Sequence, residues 1–151
     1  MENEMKKIIF IFLAISLFPF FMAREVKAVQ PVGFLDQADS NAIAGWAKDD
    51  DYNGPIQVHI YVDGQIVQGL TANGSRSDVG NHAFHWSHPS FGPGNHTVRA
   101  YAIGVNSSGQ PDNNNPELSA SPKTITEQEE YLLTSSDGKV TVVVNAKFGG
   151  S

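Results

Sequence analysis

The chain has 151 residues, with 10 Lys and Arg against 16 Asp and Glu, a formal charge of −6 and no Cys. Without Cys there are no disulfides, thiolate zinc sites, c-type haem attachments or cysteine nucleophiles, so core burial or a bound ion must hold the fold. An acidic surface with no Lys/Arg cluster after residue 28 argues against nucleic acid and anionic membranes as partners.

Lys6 and Lys7 precede an apolar run from Ile8 to Met22, interrupted by Pro19. About 15 apolar residues suit the core of a signal peptide and fall short of the roughly 20 that span a bilayer as a helix. Val26-Lys27-Ala28 offers compact residues at the cleavage positions, so residues 1–28 are expected to be a signal peptide. An uncleaved anchor is the alternative. The mature protein is then secreted, either extracellular or held in the cell envelope.

From Val32 to Ile125, short alternating runs are broken by Gly, Pro, Asn and Asp at roughly 8–12-residue spacing, the pattern of an all-β sandwich or barrel. Val32-Gly33-Phe34-Leu35 opens the module and Ala42-Ile43-Ala44-Gly45-Trp46-Ala47 follows. In the latter run Trp46 is expected in the core, because large aromatics favour burial. Asp49 to Pro55 reads as a turn. Ile56, Val58, Ile60 and Val62 share one side of a strand, with Gln57, His59 and Tyr61 on the other. Asp63-Gly64 then predicts a tight hairpin into Gln65-Ile66-Val67-Gln68.

His82 to Trp86 forms another run, in which Phe84 and Trp86 share a core-facing side opposite His85. His96 to Ile103 alternates as a strand, and Gly104 to Pro116 reads as an exposed loop. Leu118 to Ile125 is expected at a sheet edge, since Pro122 cannot donate to a central ladder. Residues 29–126 are thus one module. Thr126 to Tyr131 reads as an acidic linker and Val140 to Val144 as a strand without a visible partner. That strand either joins the existing sheet or, as preferred here, opens a further domain truncated at Ser151.

Three ordered pieces stand out. They are Gly33-Phe34-Leu35-Asp36 with Gly45-Trp46-Ala47-Lys48-Asp49, Arg76-Ser77-Asp78-Val79-Gly80-Asn81-His82-Ala83-Phe84, and His96 to Ala102 followed by Asn114 to Lys123. In this order they resemble an immunoglobulin-like antiparallel β-sandwich found as an accessory module in secreted bacterial, often glycan-related, proteins. The resemblance covers residues 32–125 and implies an accessory role rather than a catalytic one. Val140 to Ser151 is similar to the start of sugar-mutarotase-like domains, over a dozen residues that carry no catalytic position.

Candidate chemistry is confined to polar and aromatic side chains. Arg76 and Asp78, two apart in an extended segment, can pair bidentately, with His82 nearby in sequence. They form either a rim for a sugar hydroxyl or a clip that pins a crossover, and the clip is preferred. Tyr52, Tyr61 and Tyr101 are the stacking candidates for an extracellular glycan, with Tyr52 placed on an exposed turn. Asp49, Asp51 and Asn53 match the first half of a calcium loop, but the twelfth position is Ile60 where a Glu is required. A solvated acidic turn is preferred, and no cofactor other than such a calcium ion is suggested. His82 and His85 face opposite sides of a strand, which disfavours a shared metal. No nucleophile elbow or carboxylate pair suggests a catalytic residue. The expected function is a secreted, non-catalytic module that binds carbohydrate or spaces a neighbouring domain. The alternatives are the N-terminal part of a carbohydrate-active enzyme and a structural or adhesive unit with no small ligand.

Overall fold

The sequence alternation resolves into strands throughout the computed structural model, which describes residues 29–138 and 141–146. The expected signal peptide, residues 1–28, and residues 140 and 147–151 of the C-terminal resemblance lie outside the described residues. In chain order the strands are β1 (Val32–Ala38), β2 (Ile43–Lys48), β3 (Gln57–Val62), β4 (Gln65–Thr71), β5 (Gly74–Arg76), β6 (Gly80–Trp86), β7 (Gly94–Ala102), β8 (Lys123–Glu127), β9 (Glu129–Thr134) and β10 (Thr141–Ala146).

One four-stranded sheet has the order β1-β2-β6-β5 and the other β4-β3-β7-β8, with every neighbouring pair antiparallel. Lettering the strands A to G, with β4 as C′, gives ABED facing C′CFG, the immunoglobulin-like arrangement. The fold is therefore an all-β, immunoglobulin-like sandwich. Leu35, Ile43, Ala47 and Phe84 from the first sheet meet Val58, Ile60, Val62, Val98, Ala100, Ala102 and Ile125 from the second in one core. Each of these residues occupies the inward position of a period-two strand, which is why alternation alone located most of them.

Local chemistry sets the connections. Asp63 and Gly64 both adopt positive φ, 50° and 81°, as a type I′ hairpin requires. β8 is an edge strand and begins directly after Pro122, in keeping with the missing donor. Residues 116–119 tie the two sheets together. The Leu118 N–H donates to the Ala100 carbonyl at 2.8 Å, while the Leu35 N–H donates to the Ser119 carbonyl at 2.9 Å.

The structure corrects several expectations. Trp46 is not in the core: on β2 the inward positions are Ile43, Gly45 and Ala47, and Trp46 lies half-buried on the outer face. Gly45 explains this, because a Cβ there would stand 2.2 Å from the Phe34 carbonyl oxygen and 2.7 Å from Phe84 Cζ. The close approach of β1 admits only glycine inward, and the indole is left outside, opposite Phe34. Trp86 packs against the core but is only partly buried, unlike Phe84. The Gly104–Pro116 segment is not wholly an exposed loop, since Gly104 and Val105 are buried. Thr126 and Glu127 belong to β8 rather than to a linker, and Glu129–Thr134 is itself a strand that pairs with Thr141–Ala146.

Candidate functional site

β3 and β7 lie side by side at the centre of the second sheet. Their apolar sides fill the core, so Gln57, His59 and Tyr61 of β3 and Thr97, Arg99 and Tyr101 of β7 form the outer face. The register sets His59 opposite Tyr101 and Tyr61 opposite Arg99. The two tyrosines are thus diagonal neighbours and meet edge to face, with ring centroids 5.3 Å apart and planes at 77°. Both rings are half-buried. On the other side of β3, His59 pairs with Gly69 of β4, which has no side chain to cover the imidazole.

Around these rings lies an open depression of about 380 Å³, lined by His59, Tyr61, Gly64, Arg99, Tyr101, Ile103 and Asn115. His59 and Arg99 of the strands and Asn115 of the segment that flanks β7 supply its polar lining, and Glu117 of that segment stands next to Arg99 outside the lining. The Ala102 N–H donates to the Pro116 carbonyl at 3.0 Å, which sets Glu117 across from Tyr101. Arg99 Nη1 donates to both Glu117 carboxylate oxygens, at 3.0 and 2.7 Å, and Ser121 Oγ donates to Oε1 at 2.7 Å. Asn115 Oδ1 accepts from the Gly104 N–H at 3.2 Å. No described residue gives a hydrogen-bond partner to Arg99 Nε or Nη2, to Asn115 Nδ2, to the His59 ring or to either tyrosine hydroxyl. The face therefore combines two aromatic rings with several unengaged polar groups.

Of the residues singled out from sequence, Tyr61 and Tyr101 are brought together and Tyr52 is not. Tyr52 is half-buried rather than exposed, packs against the core, and covers Gly54 and Gly109, whose added Cβ atoms would fall 2.4 and 2.9 Å from its ring. Arg76 and Asp78 form the expected fork, Nε to Oδ1 at 2.9 Å and Nη2 to Oδ2 at 2.8 Å. Arg76 also reaches Asp36 of β1 with Nη1 at 2.5 Å. These hydrogen bonds hold the Asp78 carboxyl below its ordinary range and raise the guanidinium of Arg76. No hydrogen bond or ion pair joins His82 to them, and its Nδ1 is buried without a partner among the described residues.

Asp49, one of the calcium candidates, is buried and fully engaged. Its Oδ1 accepts from the Asp51 N–H at 3.0 Å and its Oδ2 from the Val105 N–H at 3.0 Å. Asp51 in turn accepts from the Val29 N–H at 2.5 Å, while Asn53 is exposed. His59, Arg99, Asn115 and Glu117 were missed in the sequence. His59 and Arg99 carried a signal, since they occupy the polar side of alternating strands. Asn115 and Glu117 carried none, because only the fold sets them beside β7.

A second polar cluster closes one end of the sandwich. His96 Nδ1 meets Asp63 Oδ2 at 2.7 Å and its Nε2 meets the Gly92 carbonyl at 2.9 Å, so both ring nitrogens face acceptors. The bond to Asp63, then that to Gly92, raises the imidazole above its ordinary value. His96, and then the Thr97 N–H, lower the Asp63 carboxyl. Burial would push Glu127 up, but donation from the Ser90 hydroxyl and the Phe91 N–H brings it below the usual carboxylate range, with His88 and His96 adding attraction. The sign of the pH effect follows. The raised His96 contributes stability that is present below about pH 6.5 and lost as pH rises through its folded value. The lowered Asp63 contributes above about pH 4, and this is lost as pH falls through its folded value. In thermal unfolding from pH 4 to 9, the deficit of His96→Gln relative to wild type is expected to be largest near pH 5 and to shrink by pH 8–9. A deficit independent of pH would contradict this role for the ion pair.

Strand order and packing define the class of protein: an immunoglobulin-like β-sandwich module with an aromatic and polar depression on its C′CFG face. No family model and no curated protein matches the chain. Among solved structures the chain is similar to the fibronectin(III)-like modules of Clostridium thermocellum CbhA, at 18% identity and a TM-score of 0.35. The match covers 65% of this chain and 46% of that chain, so the present chain spans about half the length of that neighbour.

Proposed function

We propose that this protein is an exported, non-catalytic accessory module that docks on a glycan chain through its Tyr61–Tyr101 face, within a larger secreted protein acting on or beside carbohydrate. The observation that carries the reading is the pair of half-exposed rings at the middle of the sheet, flanked by polar groups without partners among the described residues. Pyranose rings offer C–H faces that pack on aromatic rings and hydroxyls that need directional partners, and a shallow depression of this composition supplies both. A scaffold strand holds such groups more exactly than a loop does.

Two features support a role without catalysis. The buried carboxylates Asp49 and Glu127 have both oxygens hydrogen-bonded to backbone N–H or hydroxyl donors. Near the depression, the Glu117 carboxylate is held by Arg99 and Ser121. The apolar run at Ile8–Met22 supports export.

A glycan array probed with the full chain tests this. Wild type is expected to bind at least one glycan class, and Tyr61→Ala or Tyr101→Ala to weaken it at least ten-fold, about 1.4 kcal/mol. Tyr52→Ala is expected to leave affinity nearly unchanged. Binding that survives Tyr61→Ala and Tyr101→Ala would move the site elsewhere, and an empty array would favour a spacer unit.

A further inference from the structure

We infer that the glycan taken by the Tyr61–Tyr101 face is acidic, a uronic-acid-containing chain whose carboxylate docks on the free edge of Arg99. This rests on the glycan reading above and names the ligand class within it.

The balance of donors and acceptors around the depression points to this class. Glu117 is the carboxylate beside it, and its oxygens already receive Arg99 Nη1 and the Ser121 hydroxyl. Its acceptor capacity is therefore largely used. Arg99 spends only Nη1 on Glu117, which leaves its Nε and Nη2 edge without a partner among the described residues. That edge is a planar two-donor fork matched to the two oxygens of a carboxylate. Asn115 adds to the bias, because its carbonyl oxygen is tied to the Gly104 N–H and the amide end left over is a donor. A neutral sugar's hydroxyls can accept from these donors one at a time, whereas a carboxylate presents two coplanar oxygens that take both N–H groups of the fork together. A carboxylated ring uses them, while its C–H face rests on the tyrosines.

The arrangement also explains why Arg99 is aimed rather than loose. Arg99 lies directly opposite Tyr61 in the ladder, and Glu117 grips one terminal nitrogen through both oxygens. The remaining fork is thereby oriented beside the aromatic pair. Lysine at this position would keep a positive charge near Glu117 and lose the fork.

The test uses oligosaccharides of galacturonic, glucuronic, mannuronic and guluronic acid, each beside its carboxyl-reduced neutral counterpart, titrated into the full chain by calorimetry. At least one acidic oligomer is expected to bind ten-fold or more tightly than its reduced form. Arg99→Gln and Arg99→Lys are expected to erase most of that preference, with circular dichroism confirming that both variants remain folded. If no acid and reduced pair differs, or if the preference survives in both Arg99 variants, the inference is overturned. Equal binding of acid and reduced forms that is abolished by Tyr61→Ala would leave the aromatic glycan face standing and remove only its acidic selectivity. Absence of binding to every oligomer and every array glycan would remove both.

Discussion

Asp49→Ala is expected to destabilise the module by about 3 kcal/mol, because it strands buried backbone donors rather than trimming a surface charge. The wild-type carboxylate accepts from the Asp51 and Val105 N–H groups, and Asp49 is only 2% exposed. It thereby fastens the turn after β2 to the segment after β7, 56 residues away. Alanine leaves the Val105 N–H without an acceptor in a place water scarcely reaches. Asp49→Asn keeps one acceptor oxygen but turns an NH₂ toward the second donor, so a loss of about 1–2 kcal/mol is expected. For a domain of this size the alanine variant should melt roughly 10–15 °C below wild type. The same melts separate a hydrogen-bonded clip from a calcium loop. A clip predicts no change in the wild-type curve between added calcium and chelator, whereas an ion bound to the folded state raises the melting temperature with its concentration.

Gly45→Ala is expected to cost a similar amount, about 3 kcal/mol, through overpacking. The added Cβ would sit 2.2 Å from a main-chain oxygen of β1, which cannot swing aside as a flexible side chain would. Relief requires parting β1 from β2 and disturbing the ring of Phe84, which a Cβ would approach to 2.7 Å. Gly69→Ala is the control on the other sheet. It lies on β4, and the nearest atom to its added Cβ is His59 Cδ2 at 3.7 Å, an ordinary contact. Denaturant melts of both variants are expected to separate them by more than 2 kcal/mol, with Gly69→Ala within about 1 kcal/mol of wild type.

These two sites show what could and could not be read from the chain. The strand at Ile56 to Val62 and the Asp63-Gly64 turn were legible because period-two alternation and positive-φ chemistry are local properties. The outward position of Trp46 was not, since residue size argues for burial while the deciding contact is with a neighbouring strand. Glu127 reads as solvent-exposed by its charge. It sits inward on β8, two residues after buried Ile125, because Ser90 and Phe91 supply donors from 36 or more residues away. The candidate face followed the same division. Tyr61 and Tyr101 were chosen from strand parity, whereas the Arg99–Glu117 pair depends on the path of residues 116–121 beside β7. Tyr52 was misplaced because its turn looked exposed until the segment around Gly109 closed over it.

The two outer faces offer a direct contrast. The first sheet presents Phe34 and Trp46 beside a groove that Pro116, Glu117, Leu118 and Ser119 also line, and the second presents the tyrosine pair with its donors. Titration of isotopically labelled protein with the tightest array glycan, followed by amide and side-chain NMR shifts, decides between them. Perturbations concentrated at His59, Tyr61, Arg99 and Tyr101, with Phe34 and Trp46 unmoved, are the predicted result. Shifts centred on Phe34 and Trp46 would contradict the assignment of the glycan to the C′CFG face.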